Sequence, residues 1–298
     1  MPLADVEVLN ESVFEEKTKN GALLSKRFKM DNPFNLSIEL NYGHSEAKIE
    51  FTGKILKKNY PSLISIRTID ECIANINQLG VCRIELENVL NNAVVNKCDV
   101  TIDFKCDDLA EVISYIGSNL KNYKDYSKDT RRNGNLILEK NVTKKYRERL
   151  TFYDKEAEMG MSKNRDFVER YDLQGEFDGV CRAELNLTSM HKIREALQVN
   201  DTSILNVLRS HVNPIKNMLS EILSDVSISG KASNWKTYLN LLVLNDCGYD
   251  LSQVEAKMRA LKTSRGSHIR KSLEQFEALI NQTTNQRYDK AKIISMLT

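Results

Sequence analysis

Three short segments, each with a polar and an apolar side, limit most strongly what this chain can fold into. They are Asp99-Val-Thr-Ile-Asp103, Arg147 to Lys155, and Arg182-Ala-Glu-Leu-Asn186. Successive side chains of a β-strand point to opposite faces. Val100, Ile102 and Phe104 therefore share one face of the first segment, and Asp99, Thr101 and Asp103 the other. The second sets Leu150, Phe152 and Asp154 against Arg149, Thr151, Tyr153 and Lys155. The third separates Cys181, Ala183, Leu185 and Leu187 from Arg182, Glu184 and Asn186. A sheet that joins them has one core face and one face of carboxylates, cations and a phenol. That inventory suits metal-assisted phosphate chemistry.

Around these segments the pattern is β-rich to about residue 190 and helical beyond it. Residues 36–41 and 47–52 alternate apolar and polar across a turn at Tyr42 to Ser45, which predicts a β-hairpin. Apolar residues recur at helical spacing from Thr68 to Leu79, and Gly80 follows as a stop. Strand-like segments return at 81–87 and 94–104. A helix is predicted over Leu109 to Leu120, with Asp107 or Asp108 placed to cap it. Further strands are predicted near 135–140, 147–155 and 181–187. Helical periodicity then runs through 190–198, 201–223, 232–245, 250–261 and 266–282, punctuated by Asn213-Pro214, Gly230 and Gly248. Runs of strands followed by runs of helices imply an α+β protein. The expected division is a sheet domain over 1–190 and a helical domain over 191–298.

With 28% charged and 41% hydrophobic residues, the chain has the composition of a soluble globular protein. Its 4 Pro and 12 Gly argue against a long disordered linker. No signal-peptide core precedes residue 16, and the longest apolar stretch, Leu239 to Leu244, is too short to span a bilayer. The six cysteines form no Cys-x-x-Cys pair and read as reduced, mostly buried thiols of a cytoplasmic protein, with zinc disfavoured. The net charge of +2 means that any polyanion must be held by a local patch. The candidate patch is Lys121 to Arg149, where ten Lys and Arg face four acids and Tyr123, Tyr126 and Tyr146 are interleaved. Arg131, Arg132, Lys144, Lys145, Arg147 and Arg149 are the phosphate-contacting candidates there. A solvated hairpin with charged edges is the plainer alternative.

Two aspartates at i and i+4 on one strand face lie about 13 Å apart, so at most one of Asp99 and Asp103 ligates a given ion directly. Glu184 beside either one would complete an oxygen site for Mg²⁺ or Mn²⁺. Lys155 or Arg182 would then contact phosphate oxygens. His44, His191, His211 and His268 are scattered, which leaves a histidine-clamped metal unsupported. No glycine-rich phosphate loop and no Gly-x-Ser-x-Gly elbow is present.

The ordered set Asp99-Val-Thr-Ile-Asp103, Leu150-Thr-Phe-Tyr-Asp-Lys155 and Arg182-Ala-Glu-Leu-Asn-Leu187 resembles replication-initiation proteins of small rolling-circle plasmids and filamentous phages. The resemblance spans about residues 35–190. It implies an HUH-like nicking domain with a central antiparallel sheet, one divalent metal and a nucleophilic tyrosine. On that carry-over Asp99 or Asp103 and Glu184 match metal positions, and Tyr153 and Lys155 belong to the Tyr-Asp-Lys strand. This chain lacks the His-hydrophobic-His strand, so its metal ligands must be carboxylate-heavy. The implied nucleophile is Tyr238, in Trp235-Lys-Thr-Tyr238, with Tyr153 as competitor; a core role for Tyr238 on a helical apolar stripe is an equal alternative. The implied reaction nicks origin DNA, leaving a 5′-phosphotyrosyl adduct and a 3′-hydroxyl primer. The helical region would recognise origin duplex, dimerise or contact a host helicase. A mobilisation relaxase would use the same chemistry, and a non-catalytic DNA-binding protein is the rival from another class.

Overall fold

The computed structural model describes residues 1–120, 126–131, 134–143, 146–223, 234–247, 250–261, 266–284 and 288–297. The chain begins with β1 (Val6–Val8), then β2 (Glu15–Lys19), β3 (Ala22–Met30), β4 (Leu36–Asn41) and β5 (Glu46–Glu50). Strands β2 to β5 form an antiparallel meander in sequence order. The predicted hairpin is its β4–β5 half, with Ile38 opposite Ile49. Leu36, Ile38 and Leu40 turn inward, as their alternation requires. The β2–β3 half turns at Asn20-Gly21, where both residues have positive φ (52° and 79°). Two-residue hairpin loops favour that conformation because it matches the twist of the strands.

A 3-10 segment, Gly53–Ser62, leads to α1 (Ile69–Asn77), β6 (Cys82–Ile84) and α2 (Leu86–Asn92). Strand β6 pairs with β1, and Ile69, Cys72, Ile73 and Ile76 of α1 fill the core beneath the meander. Next come β7 (Cys98–Lys105), α3 (Leu109–Ser118), β8 (Tyr126–Thr130), β9 (Leu136–Thr143) and β10 (Tyr146–Asp154). Helix α3 is capped by Asp108, whose carboxylate accepts the Glu111 N–H at 2.9 Å. Helices α4 (Lys155–Met159) and α5 (Ser162–Arg170) precede β11 (Val180–Leu187).

The second sheet has the order β7-β11-β10-β9-β8, antiparallel throughout. Strand β11 therefore lies between β7 and β10, and the three segments singled out by their polar faces are direct neighbours. Their apolar face forms cross-strand rows, Val100–Leu185–Leu150–Leu138 and Ile102–Ala183–Phe152–Leu136. These rows are the floor of a second core.

The chain continues through α6 (Met190–Leu197), α7 (Ile204–Arg209), α8 (Pro214–Ile222), α9 (Trp235–Asp246), α10 (Leu251–Ala260), α11 (Gly266–Thr284) and α12 (Lys290–Met296). The stretch 201–223, read as one helical run, is two helices, and Asn213 caps the second by accepting the Lys216 N–H at 2.8 Å. Packing does not break at residue 190. Ile193 of α6, Ile215 and Leu219 of α8 and Ile293 of α12 belong to the same core as the sheet's apolar rows. A sheet with one apolar face needs such a cover. Helices α9 to α11 instead close on a small core of their own, built on Leu241, Leu244, Val254 and Phe276. The result is a mixed α and β chain with antiparallel sheets. None of the described helices is long and apolar enough to cross a membrane.

Candidate functional site

The register of β7, β11 and β10 arranges the polar face in three rows. The first is Asp99–Asn186–Arg149, the second Thr101–Glu184–Thr151, and the third Asp103–Arg182–Tyr153. Burial deepens along the series. Asp99 is exposed, Glu184 is half-buried, and Arg182 is 3% exposed. The third row is closed over by residues of the meander's core, among them Tyr60 and Phe177. The polar face is therefore covered at its Arg182 end and exposed at its Asp99 end.

Hydrogen bonds run within the first and third rows and between the second and third. Asn186 Nδ2 donates to Asp99 Oδ1. Tyr153 donates its phenol O–H to Glu184 Oε1 at 2.8 Å. Arg182 donates Nε and Nη2 to the two oxygens of Asp103, both at 2.6 Å. Such a bidentate pair keeps a buried guanidinium charged and fixed in plane. Burial pushes the Tyr153 phenol well above its ordinary range, and the Glu184 carboxylate adds to the rise. Burial also raises Glu184, with Asp99 contributing in the same direction, against the Tyr153 hydrogen bond and the Arg182 and Lys155 charges.

Lys155 starts α4 immediately after β10, because Asp154 caps that helix by accepting the Ala157 N–H at 2.9 Å. The Lys155 side chain is 2% exposed. Its ammonium donates to Glu158 Oε2 and to the Tyr60 phenol oxygen, each at 2.6 Å. Arg182 Nη1 donates to the same Tyr60 oxygen at 2.9 Å. One phenol oxygen thus holds two buried cations together, and it comes from the 3-10 segment of the other core. Burial acts to raise Glu158, but Lys155 and Asn164 outweigh it and hold the carboxyl below its ordinary range.

The expected site residues divide as follows. Asp99, Asp103, Glu184, Tyr153, Lys155 and Arg182 share one face or its edge. Tyr238 lies on α9, stacked against Trp235 at 5.2 Å, on the helices with the separate small core. Asp103 spends both oxygens on Arg182, which leaves Asp99 and Glu184 as the carboxylates suited to a cation. They are diagonal neighbours across β7 and β11, close enough for Asp99 to act on the Glu184 charge. Among the described residues, no three His, Cys, Asp or Glu side chains gather as a metal-binding group. Arg182, expected to meet DNA, is instead an internal charge. Of the basic stretch, Arg131 is exposed beside Asp129, and Arg149 pairs with Glu139 at 3.2 Å. Arg147 lies on β10, while Arg132, Lys144 and Lys145 lie outside the described residues.

Sequence reasoning missed Tyr60, Glu158, Asn164 and Lys54, whose ammonium donates to Asn164 Oδ1 at 2.6 Å. Tyr60 sits in Lys-Lys-Asn-Tyr-Pro, which has neither strand nor helix periodicity. Glu158 carries one usable signal, its i+3 spacing from Lys155 on a helix that Asp154 can cap. Comparison of the chain with models of known protein families, with curated proteins and with solved structures returns no match.

Proposed function

We propose that this protein nicks one strand of DNA by tyrosine attack, as a replication initiator of the rolling-circle kind. The observation that carries the reading is the Tyr153–Glu184 hydrogen bond on a sheet face that also holds Lys155 and Arg182. A phenol is a weak nucleophile until a base takes its proton and a cation stabilises its oxygen. Glu184 is in place to take the Tyr153 proton. Arg182 opposes the upward push on the Tyr153 phenol, so its charge favours the phenolate. Attack forms the Tyr153 Oη–phosphorus bond and breaks the bond from phosphorus to the 3′-oxygen. The departing 3′-oxygen takes a proton from solvent water and becomes the hydroxyl that primes synthesis, while the 5′-phosphate remains on Tyr153 and the Tyr153 proton on Glu184.

Asp99 and Glu184, diagonal neighbours across β7 and β11 with neither carboxylate spent on a cation at hydrogen-bond distance, are the residues that would hold Mg²⁺ or Mn²⁺. A hard divalent ion there supplies Lewis-acid polarisation of the scissile phosphate. The nucleophile under this reading is Tyr153, because Tyr238 lies on a different core. The same chemistry serves a mobilisation relaxase. The mutual neutralisation of Asp103 with Arg182 and of Glu158 with Lys155 favours, as the second reading, a non-catalytic role for these charges.

The test is incubation with supercoiled origin DNA and Mg²⁺ or Mn²⁺, scored for nicked circles and a covalent protein–DNA adduct. Wild type and Tyr238→Phe should give both products, Tyr153→Phe neither, and chelation of the metal should abolish nicking. An inactive wild type would refute the enzyme reading. Adduct retained by Tyr153→Phe but lost by Tyr238→Phe would return the nucleophile to α9.

A further inference from the structure

Beside the polar face, on its far side from Asp99, lie two lysines, Lys54 and Lys163, that the nicking chemistry does not use. Lys54, from the 3-10 segment, is half-buried, and its ammonium donates to a neutral acceptor, Asn164 Oδ1, at 2.6 Å. The same ammonium stands 5.3 Å from the centre of the Phe167 ring. Asn164 is fully buried and is itself fixed, donating Nδ2 to the Glu158 carbonyl at 2.6 Å and to Glu158 Oε1 at 2.8 Å. Lys54 feels the charges of Lys155 and Lys163 as repulsion and that of Glu158 alone as attraction. Glu158 already takes the Lys155 ammonium at 2.6 Å. Lys163 is exposed in the first turn of α5, where its nearest acidic residue on the helix is Asp166, three positions on.

Lys155 and Lys54 thus share one carboxylate, and the exposed Lys163 adds to the positive charge acting on the half-buried Lys54. A lysine can avoid this by swinging its head into water, since its stem is flexible. Lys54 is instead held inward, by an amide whose other end is anchored and by the face of an aromatic ring. Such an arrangement is favourable when an anion completes it. Lys155 links the group to the sheet, because its ammonium also stands 5.8 Å from the Tyr153 ring centre.

We infer that Lys54 and Lys163 form a phosphate-binding subsite that takes a backbone phosphate of single-stranded DNA next to the one at Tyr153. The inference rests on the DNA-nicking reading for its ligand. Lys54 and Tyr60 share one short segment, so the stretch that joins Lys155 and Arg182 through the Tyr60 oxygen also presents Lys54.

The test uses the full chain, Lys54→Met, which keeps the stem against Phe167, and Lys163→Gln, a change at an exposed position. A fluorescein-labelled single-stranded oligonucleotide is titrated at several salt concentrations. Each lost phosphate contact should reduce the slope of log K against log salt by about 0.7. Both variants should lose affinity several-fold, and by the same factor for unrelated sequences. In a second arm, inorganic phosphate is added without DNA and the melting temperature is followed. Stabilisation of wild type but not of Lys54→Met supports a phosphate site. If the DNA titrations of both variants match wild type while the phosphate effect depends on Lys54, the subsite serves free phosphate and the DNA assignment is overturned. Unchanged behaviour in both arms overturns the subsite itself. The nicking assay is read separately: wild type that binds DNA without nicking it sinks the nuclease reading and leaves the Lys54 result standing.

Discussion

Removing one oxygen atom, that of the Tyr60 phenol, would leave two buried cations short of an acceptor at once. Lys155 would keep Glu158 and Arg182 would keep Asp103. Each cation would nevertheless have a donor facing an aromatic ring edge, and a buried donor left unpaired costs about 1–3 kcal/mol. Tyr60→Phe is therefore expected to lower unfolding stability by about 2–3 kcal/mol, measured as a shift of the urea midpoint at constant slope. Tyr153→Phe strands no cation. It leaves Glu184, half-buried and raised by its burial, without one donor, and its cost should be about 1 kcal/mol. The two phenols should thus separate, with Tyr60→Phe the larger loss in stability and Tyr153→Phe the larger loss in nicking. Equal stability losses would mean that the Tyr60 oxygen does not join the two cations.

At the scale of elements, the 3-10 segment shows how the site is held and why much of it was hidden in the sequence. Lys57 and Leu63 flank Tyr60 at three residues on either side, and both have positive φ, 55° and 56°. The ψ of Lys57, −121°, places it in a region that suits glycine rather than a side chain with a Cβ. Non-glycine residues in such conformations cost about 1–3 kcal/mol each and persist where the surroundings overdetermine them. Here those surroundings are the Tyr60 bonds and the buried Ile55 and Leu56. Lys57→Gly should relieve the strain, against the loss of an exposed hydrogen bond to Gln78 and the larger entropy of glycine in the unfolded chain. The net expectation is a gain of about 1 kcal/mol with nicking unchanged, read from thermal and urea unfolding. The strands that build the polar face were legible because alternation over Val100, Ile102, Leu150, Phe152, Ala183 and Leu185 is a local signal. Their adjacency was not, since the pairing of β7 with β11 joins residues some 80 positions apart. The β2–β3 hairpin offered only Asn20-Gly21, because Glu15–Lys19 is exposed on both faces and has no alternation to read. Tyr60 and Lys54 act through tertiary contacts from an aperiodic segment, so no pattern announces them.

For the molecule as a whole, the order of the chain and the order of packing part company after α8. Helices α9 to α11 have a small separate core and expose Trp235, at 70%, with Leu239, Leu242 and Val243 on the same helix. The chain then returns, and α12 places Ile293, with Leu297 and Tyr288 beside it, into the core under the sheet's apolar face. Asn213, the cap of α8, fixes that return by donating Nδ2 to the Leu297 carbonyl at 2.6 Å. The short segment 288–297 therefore matters more to the sheet than the long helical stretch before it. Each of the three side chains is worth about 1.5–3 kcal/mol when fully buried, and their sum is comparable with the stability of a whole domain. Truncation after residue 287 should abolish cooperative unfolding of the sheet or lower its melting temperature by well over 10 °C. Deletion of 235–284 removes a self-contained core and shortens a connection, whose closure entropy changes slowly with length. That variant should keep the main unfolding transition and keep Tyr153-dependent nicking of single-stranded DNA. If the internal deletion unfolds the sheet while the truncation does not, the division of the helices between the two cores is wrong.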